Sequence, residues 1–131
     1  METYDIILKA QIQTPKMKDH EWHTLTITNM ENLYYSVAQM VTHHAVNGCN
    51  LEAGDILGTG TVSGPKRKSW ASMVESIHEP EFQLFNGETR RFLEDGDKIK
   101  LSGVGLTEEF TISLGEVTGT VIPELDDSHY F

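Results

Sequence analysis

The run "TGTVSGPKRKSWASMVES", Thr59 to Ser76, does not read as routine core. Gly58, Gly60 and Gly64 fall within seven residues with threonines between them, and Pro65 and the basic run Lys66-Arg67-Lys68 lead on to a lone glutamate, Glu75, among apolar neighbours. A phosphate-binding Walker loop needs Gly-Lys-Ser/Thr opening a helix, whereas here Pro65 follows Gly64. The dinucleotide fingerprint fails as well, because the glycines are spaced one residue too wide. Two readings stay open. Either a strand, Asp55 to Leu57, runs into backbone that must approach something closely, with the Thr59 and Thr61 hydroxyls on offer, or the glycines form a β-bulge beside a turn.

The flanks define the fold class. On the N-terminal side, Ile6, Leu8, Ala10 and Ile12 alternate onto one face, and "WHTLTITN" repeats the pattern in Trp22, Leu25 and Ile27. With polar "TPKMKDHE" between them, the two predict a hairpin with a long loop. Thr28-Asn29-Met30-Glu31 fits a capping box, and Leu33, Val37, Met40, Val41 and His44 follow at helical spacing. A helix from about Asn29 to Val46 is expected, docked on a sheet and ended by Asn47-Gly48. On the C-terminal side the texture is β-rich. Asn86-Gly87 marks a hairpin between Phe82-Gln83-Leu84 and Arg91-Phe92-Leu93, and Asp95 to Asp97 turns into Lys98-Ile99-Lys100-Leu101. "FTISLGEVTGTVIPEL" supplies two more strands, and residues 126–131 read as a frayed tail. No second long helix is expected between Asp55 and Leu125.

At 131 residues with 38% hydrophobic and 23% charged side chains, the chain suits one domain, 1–131, able to bury a core. A net charge of −10 repels phosphate backbones and anionic membranes, so neither nucleic acid nor membrane is an expected partner. The start carries no signal-peptide pattern, and no stretch approaches the length of a membrane span. One cysteine, Cys49, rules out an intramolecular disulfide framework and fits the reducing cytoplasm.

Other candidate residues have plain readings beside functional ones. Glu75 faces outward from a strand, or it faces inward and orients a histidine or a water. His43 and His44 diverge by about 100° on a helix and do not readily chelate one ion, which leaves core or surface roles. His20-Glu21-Trp22-His23 lacks structural-zinc spacing and reads as a solvated loop. Cys49 has no basic neighbour and is assigned to the core.

The order of these features resembles a known family. "THHAVNGCNLEAGDILGTGTVSGP", Thr42 to Pro65, followed by "SMVES", "FNGETRRFLEDGDKIKLSG" and "GEVTGTVIPEL", is similar to the C-terminal part of the fumarylacetoacetases, clearly so from about Met30 to Leu125. The shorter Gly-Asp…Thr-Gly-Thr element is shared across the fumarylacetoacetate hydrolase superfamily. The resemblance implies an α+β fold, mainly β, with a mixed, rolled sheet and one principal helix. It also implies hydrolysis of a carbon–carbon bond in a β-diketone acid, fumarylacetoacetate, in tyrosine breakdown.

Carried over by resemblance, Thr61 holds a substrate oxygen, the glycines at 58, 60 and 64 let backbone approach a small acid, and Glu75 orients the histidine that activates water. Glu75 is then expected to be partly buried and to share a concavity with Thr61. The family uses Mg²⁺ or Ca²⁺, but its metal-binding carboxylates, base histidine and substrate-binding arginine lie upstream of the matched region. No residue here is therefore assigned as a metal ligand. An N-terminal half and a second copy, forming a homodimer, are the expected protein partners, and the chain alone is expected to be inactive. A non-catalytic binding or assembly module on the same scaffold is the alternative.

Overall fold

Alternating side chains, a polar loop and a second alternating run build the first hairpin of the computed structural model, which describes residues 4–125. Strand β1, Ile6–Gln13, pairs antiparallel with β2, His23–Asn29. Its other edge pairs with β5, Lys98–Leu106, and β5 pairs with β6, Thr111–Thr120. The strand order of this sheet is β2-β1-β5-β6. The tail expectation falls on residues 126–131, outside the described residues.

A separate two-stranded ribbon joins β3, Phe82–Gln83, to β4, Thr89–Arg90, around the expected Asn86-Gly87 turn. Thr89-Arg90, rather than Arg91 to Leu93, is the returning strand, because the tight turn fixes the register with Leu84 N–H donating to the Glu88 carbonyl at 2.9 Å. The fold is mainly β with a single α-helix, α1, Val37–Val46, among the described residues. All described pairings are antiparallel, where a mixed sheet was expected, since the long loop at β1–β2 and the short turns at β3–β4 and β5–β6 each reverse the chain.

The register explains which side chains face the core. Leu8, Ala10 and Ile12 stand opposite Gly103, Leu101 and Ile99 on one face of the sheet. In β2 the register slips at Leu25, so that Thr28 and Thr26, rather than Ile27, lie opposite Leu8 and Ala10. Both threonines are buried while Ile27 is half exposed. A similar slip sets Leu114 and Gly115 against Gly103, and the expected two last strands are one bulged strand. At one end of this face Ile12 is fully buried with Met17 from the hairpin loop and Leu84 from the ribbon, and Leu25 and Ile99 pack against them.

The helix departs most from expectation. Asn29 caps only a 3₁₀ turn, Met30–Asn32, by accepting from the Glu31 N–H at 2.9 Å, and the backbone then runs extended through Leu33. α1 starts only at Val37, after a reciprocal box: the Ser36 hydroxyl accepts from Gln39 N–H at 3.3 Å, and Ser36 N–H donates to Gln39 Oε1 at 2.9 Å. Satisfying two backbone donors at once, the second signal outcompetes the first. No residue of α1 is buried, so it does not dock on the sheet as expected. Asn47-Gly48 ends it as expected, and Cys49 just beyond is exposed, not core, because the cap leads outward. Asp55 to Leu57 is irregular rather than a strand; its side chains face solvent and no neighbouring strand pairs with it. His23 opens β2 instead of lying in a solvated loop, and its Nδ1 accepts from Phe85 N–H at 3.2 Å.

A polar pin joins the ribbon to the sheet. Arg90 Nε and Nη2 donate to the Asp97 oxygens at 2.8 and 3.0 Å, and Asp97 is fully buried. Beside them Glu88 Oε2 accepts from the Thr14 hydroxyl and the Asn86 amide, each at 2.5 Å, while Lys16 Nζ lies 3.3 Å from Oε1. The Thr14 hydroxyl above all, then Asn86 and Lys16, hold the Glu88 carboxyl at about 2 against an ordinary 4.5, opposing the upward push of burial. A depressed folded value means that the contribution is fully present above 4.5 and fades as pH falls through 2. Glu88→Gln should therefore lower the urea midpoint at neutral pH, and the gap from the unsubstituted chain should shrink as acid is added, read by circular dichroism. A gap independent of pH would contradict this.

Candidate functional site

The glycine-rich run crosses the sheet face beyond the core. Residues 59–62 line a hollow of about 430 Å³ together with Leu8, Ala10, Leu101 and Leu114, and Val62 is buried. Gly60 takes a φ of +74°, a left-handed conformation that favours glycine, between Thr59 and Thr61. Gly64 is required for a different reason: a Cβ there would sit 2.9 Å from Ser69 Cβ and 3.1 Å from Asn32 Nδ2. A Cβ at Gly58 would meet nothing within 4 Å. The expectation that all three glycines open onto a ligand is thus corrected, since Gly64 serves packing within the loop.

Residues 64–69 close into a compact excursion. Gly64 N–H donates to the Ser69 carbonyl at 2.8 Å, the 3₁₀ turn Arg67–Ser69 carries the basic run, and the Thr26 hydroxyl on β2 donates to the Lys68 carbonyl at 3.0 Å. The chain then returns beside its starting point. Ala71 N–H donates to Ser63 Oγ at 3.0 Å, and a second 3₁₀ turn, Met73–Ser76, presents Glu75. Glu75 Oε2 accepts from the Ser63 hydroxyl at 2.7 Å and from Ser72 N–H at 3.0 Å.

Thr61 and Glu75 line one concavity of about 450 Å³, together with Asn32, Leu33, Tyr34, Ser63, Ser72 and Val74. Glu75 is exposed there, not partly buried as expected, because its 3₁₀ turn lies at the surface and the donors that hold it come from exposed loop backbone and a hydroxyl. Among the described residues neither Thr61 Oγ1 nor Glu75 Oε1 has a hydrogen-bond partner, so both are free to meet a ligand or another side chain. His43 and His44 are exposed on α1 and line a different hollow with Tyr35 and Leu57; neither reaches Glu75. A larger hollow of about 810 Å³ lies between β2, the basic turn and Phe82, but it contains neither Thr61 nor Glu75. The smaller one brings a carboxylate and hydroxyls together, which is what acid–base chemistry requires.

Among the described residues no three His, Cys, Asp or Glu side chains come together to hold a metal ion. The described residues by themselves therefore gather no ligand set for the divalent cation that the resemblance implies. No helix among the described residues is long and apolar enough to cross a membrane. Ser63, Asn32 and Tyr34 are not among the site residues expected from the sequence. Ser72-x-x-Glu75 is a local capping pattern that points to the carboxylate's anchoring, but Ser63 is twelve residues from Glu75 and carries no such signal.

Comparison with known proteins places these residues in context. Residues 18–122 match the family described as fumarylacetoacetate (FAA) hydrolase C-terminal. The chain is 45% identical over 122 residues to a fumarylacetoacetase of Caenorhabditis elegans, covering 92% of this chain and 29% of the relative. To the fumarylacetoacetase of Arabidopsis thaliana it is 41% identical over 121 residues, covering 92% of this chain and 28% of the relative. To that of Homo sapiens it is 37% identical over 125 residues, covering 94% and 29%. The chain thus spans less than a third of the length of these curated relatives.

Proposed function

The chain belongs to the fumarylacetoacetate hydrolase C-terminal family, and from that membership we propose that it forms the C-terminal part of a hydrolase cleaving a carbon–carbon bond in a β-diketone acid, fumarylacetoacetate giving fumarate and acetoacetate. The observation that carries this reading is the shared concavity of Thr61 and Glu75, with a hydroxyl and a carboxylate oxygen both uncommitted. Thr61 Oγ1 donates to a substrate oxygen. Glu75 Oε1 accepts the N–H of an imidazole supplied by an N-terminal half, fixing its tautomer and stabilising the imidazolium formed when it takes a proton from water. The water oxygen adds to the substrate carbonyl, the carbon–carbon bond breaks, and its electron pair leaves as an enolate that is then protonated.

In this reading the sheet completes the rolled sheet of the family, and the chain acts in the cytoplasm as a homodimer. Half-exposed or more, Leu114 and Val117 on the edge strand β6 support association.

Reconstitution tests the reading. Joined to the upstream portion of the Caenorhabditis elegans relative, the chain should convert fumarylacetoacetate to fumarate and acetoacetate, while alone it should not. A joined protein that folds and binds the diketo acid without hydrolysing it would favour the non-catalytic module.

A further inference from the structure

We infer that Ser63 is the positioning residue of this site: its hydroxyl pins one oxygen of Glu75 and thereby turns the other toward the concavity. The inference rests on the proposed role of Glu75. Its geometry is a single chain of hydrogen bonds. Ala71 N–H donates to Ser63 Oγ at 3.0 Å, and Ser63 Oγ donates to Glu75 Oε2 at 2.7 Å. Because the backbone donor occupies the hydroxyl's acceptor side, the hydroxyl hydrogen is directed onto the carboxylate, and each bond polarises the next. Ser72 N–H reaches the same Oε2 at 3.0 Å.

Two donors on one oxygen leave Oε1 as the acceptor with no partner among the described residues. An exposed glutamate has several rotatable bonds, and without such a clamp it samples many rotamers. The clamp also ties the two parts of the site together, because Ser63 lies two residues after Thr61 on the crossing strand of backbone. Loss of the hydroxyl would free Glu75 from the Thr61 segment and leave the Ala71 N–H without its acceptor.

The test uses the chain itself, isotopically labelled, with Glu75 side-chain rotamers read from three-bond NMR couplings. The unsubstituted chain and Ser63→Thr, which keeps the hydroxyl, should show one dominant Glu75 rotamer, and Ser63→Ala should show averaging. Should Ser63→Ala fail to fold, Ser63→Cys, whose thiol is a weak donor, takes its place. A Glu75 rotamer that stays fixed in the variant overturns the inference. In the joined hydrolase, Ser63→Ala should lower kcat on the order of tenfold with KM unchanged, rescued by Ser63→Thr, because orientation matters in the transition state. Where Glu75→Gln does lower turnover, an unchanged kcat in Ser63→Ala would also overturn it. If the rotamers respond as expected while Glu75→Gln leaves turnover intact, the proposed function fails and the positioning stands.

Discussion

Glu75→Gln, introduced into the hydrolase formed when this chain is joined to an upstream segment, should lower kcat by about 10²- to 10⁴-fold and change KM little. Glutamine keeps the size of the side chain and one carbonyl acceptor, so Ser63 and Ser72 can still hold it. What it loses is the negative charge that stabilises an imidazolium as water gives up its proton. Because that charge exists only as the reaction proceeds, the loss falls on turnover rather than on substrate binding. Steady-state kinetics with fumarylacetoacetate reads the split directly. Equal losses in kcat and in substrate affinity would make Glu75 structural and leave the glycine-rich run with Thr61 as the functional element.

The second large effect is on stability. Asp97→Ala should destabilise the fold by about 3–5 kcal/mol, because it removes the buried, doubly hydrogen-bonded carboxylate from a buried guanidinium and leaves it only the longer contacts to Glu94 at 3.4 Å and Glu88 at 3.7 Å. Arg90 is 6% exposed and Asp97 fully buried, and the hydrogen bonds from Arg90 to Asp97, more than any other influence, hold the guanidinium in its charged form. Asp97 Oδ2 also accepts from Glu94 N–H at 2.9 Å, so the turn before β5 loosens too. In a domain of this size the loss corresponds to roughly 10–20 °C in Tm, measured by circular dichroism. Replacing both partners, Arg90→Met with Asp97→Leu, should cost much less, since no charge is then left unpaired. A Tm change of only a few degrees in Asp97→Ala would refute the pin.

Much of the sheet could be read from local pattern. Alternation in Ile6 to Ile12 and the Asn86-Gly87 and Asp95 to Asp97 turns are effects of neighbouring residues, and each appears where expected. Effects settled by pairing partners could not. The slip at Leu25 that turns Thr26 and Thr28 inward depends on β1, and the bulge that makes β6 one strand depends on Gly103 of β5. The helix starts later than expected because two capping signals stand in series, Asn29 and Ser36, and only the reciprocal one nucleates an α-helix.

The site divides in the same way. Periodicity and composition left the glycine-rich run open between a bulge and a close approach; Thr61 and Glu75 acquired roles only by resemblance. Neither a position index nor a spacing could reveal that the 64–69 excursion folds back to set Ser63 against Glu75, since that depends on Gly64 tolerating Ser69 at contact distance and on Thr26 holding Lys68.

The most direct measurement is product formation from fumarylacetoacetate by the chain alone and by the joined protein at equal concentration, with fumarate and acetoacetate identified by NMR. The proposed function predicts background rates for the chain alone and turnover at least about 10³-fold higher for the joined protein, abolished to within background by Glu75→Gln combined with Thr61→Val. Turnover by the lone chain, or a well-folded joined protein whose hydrolysis is indifferent to both substitutions, would contradict the claim that this concavity is part of a hydrolase site.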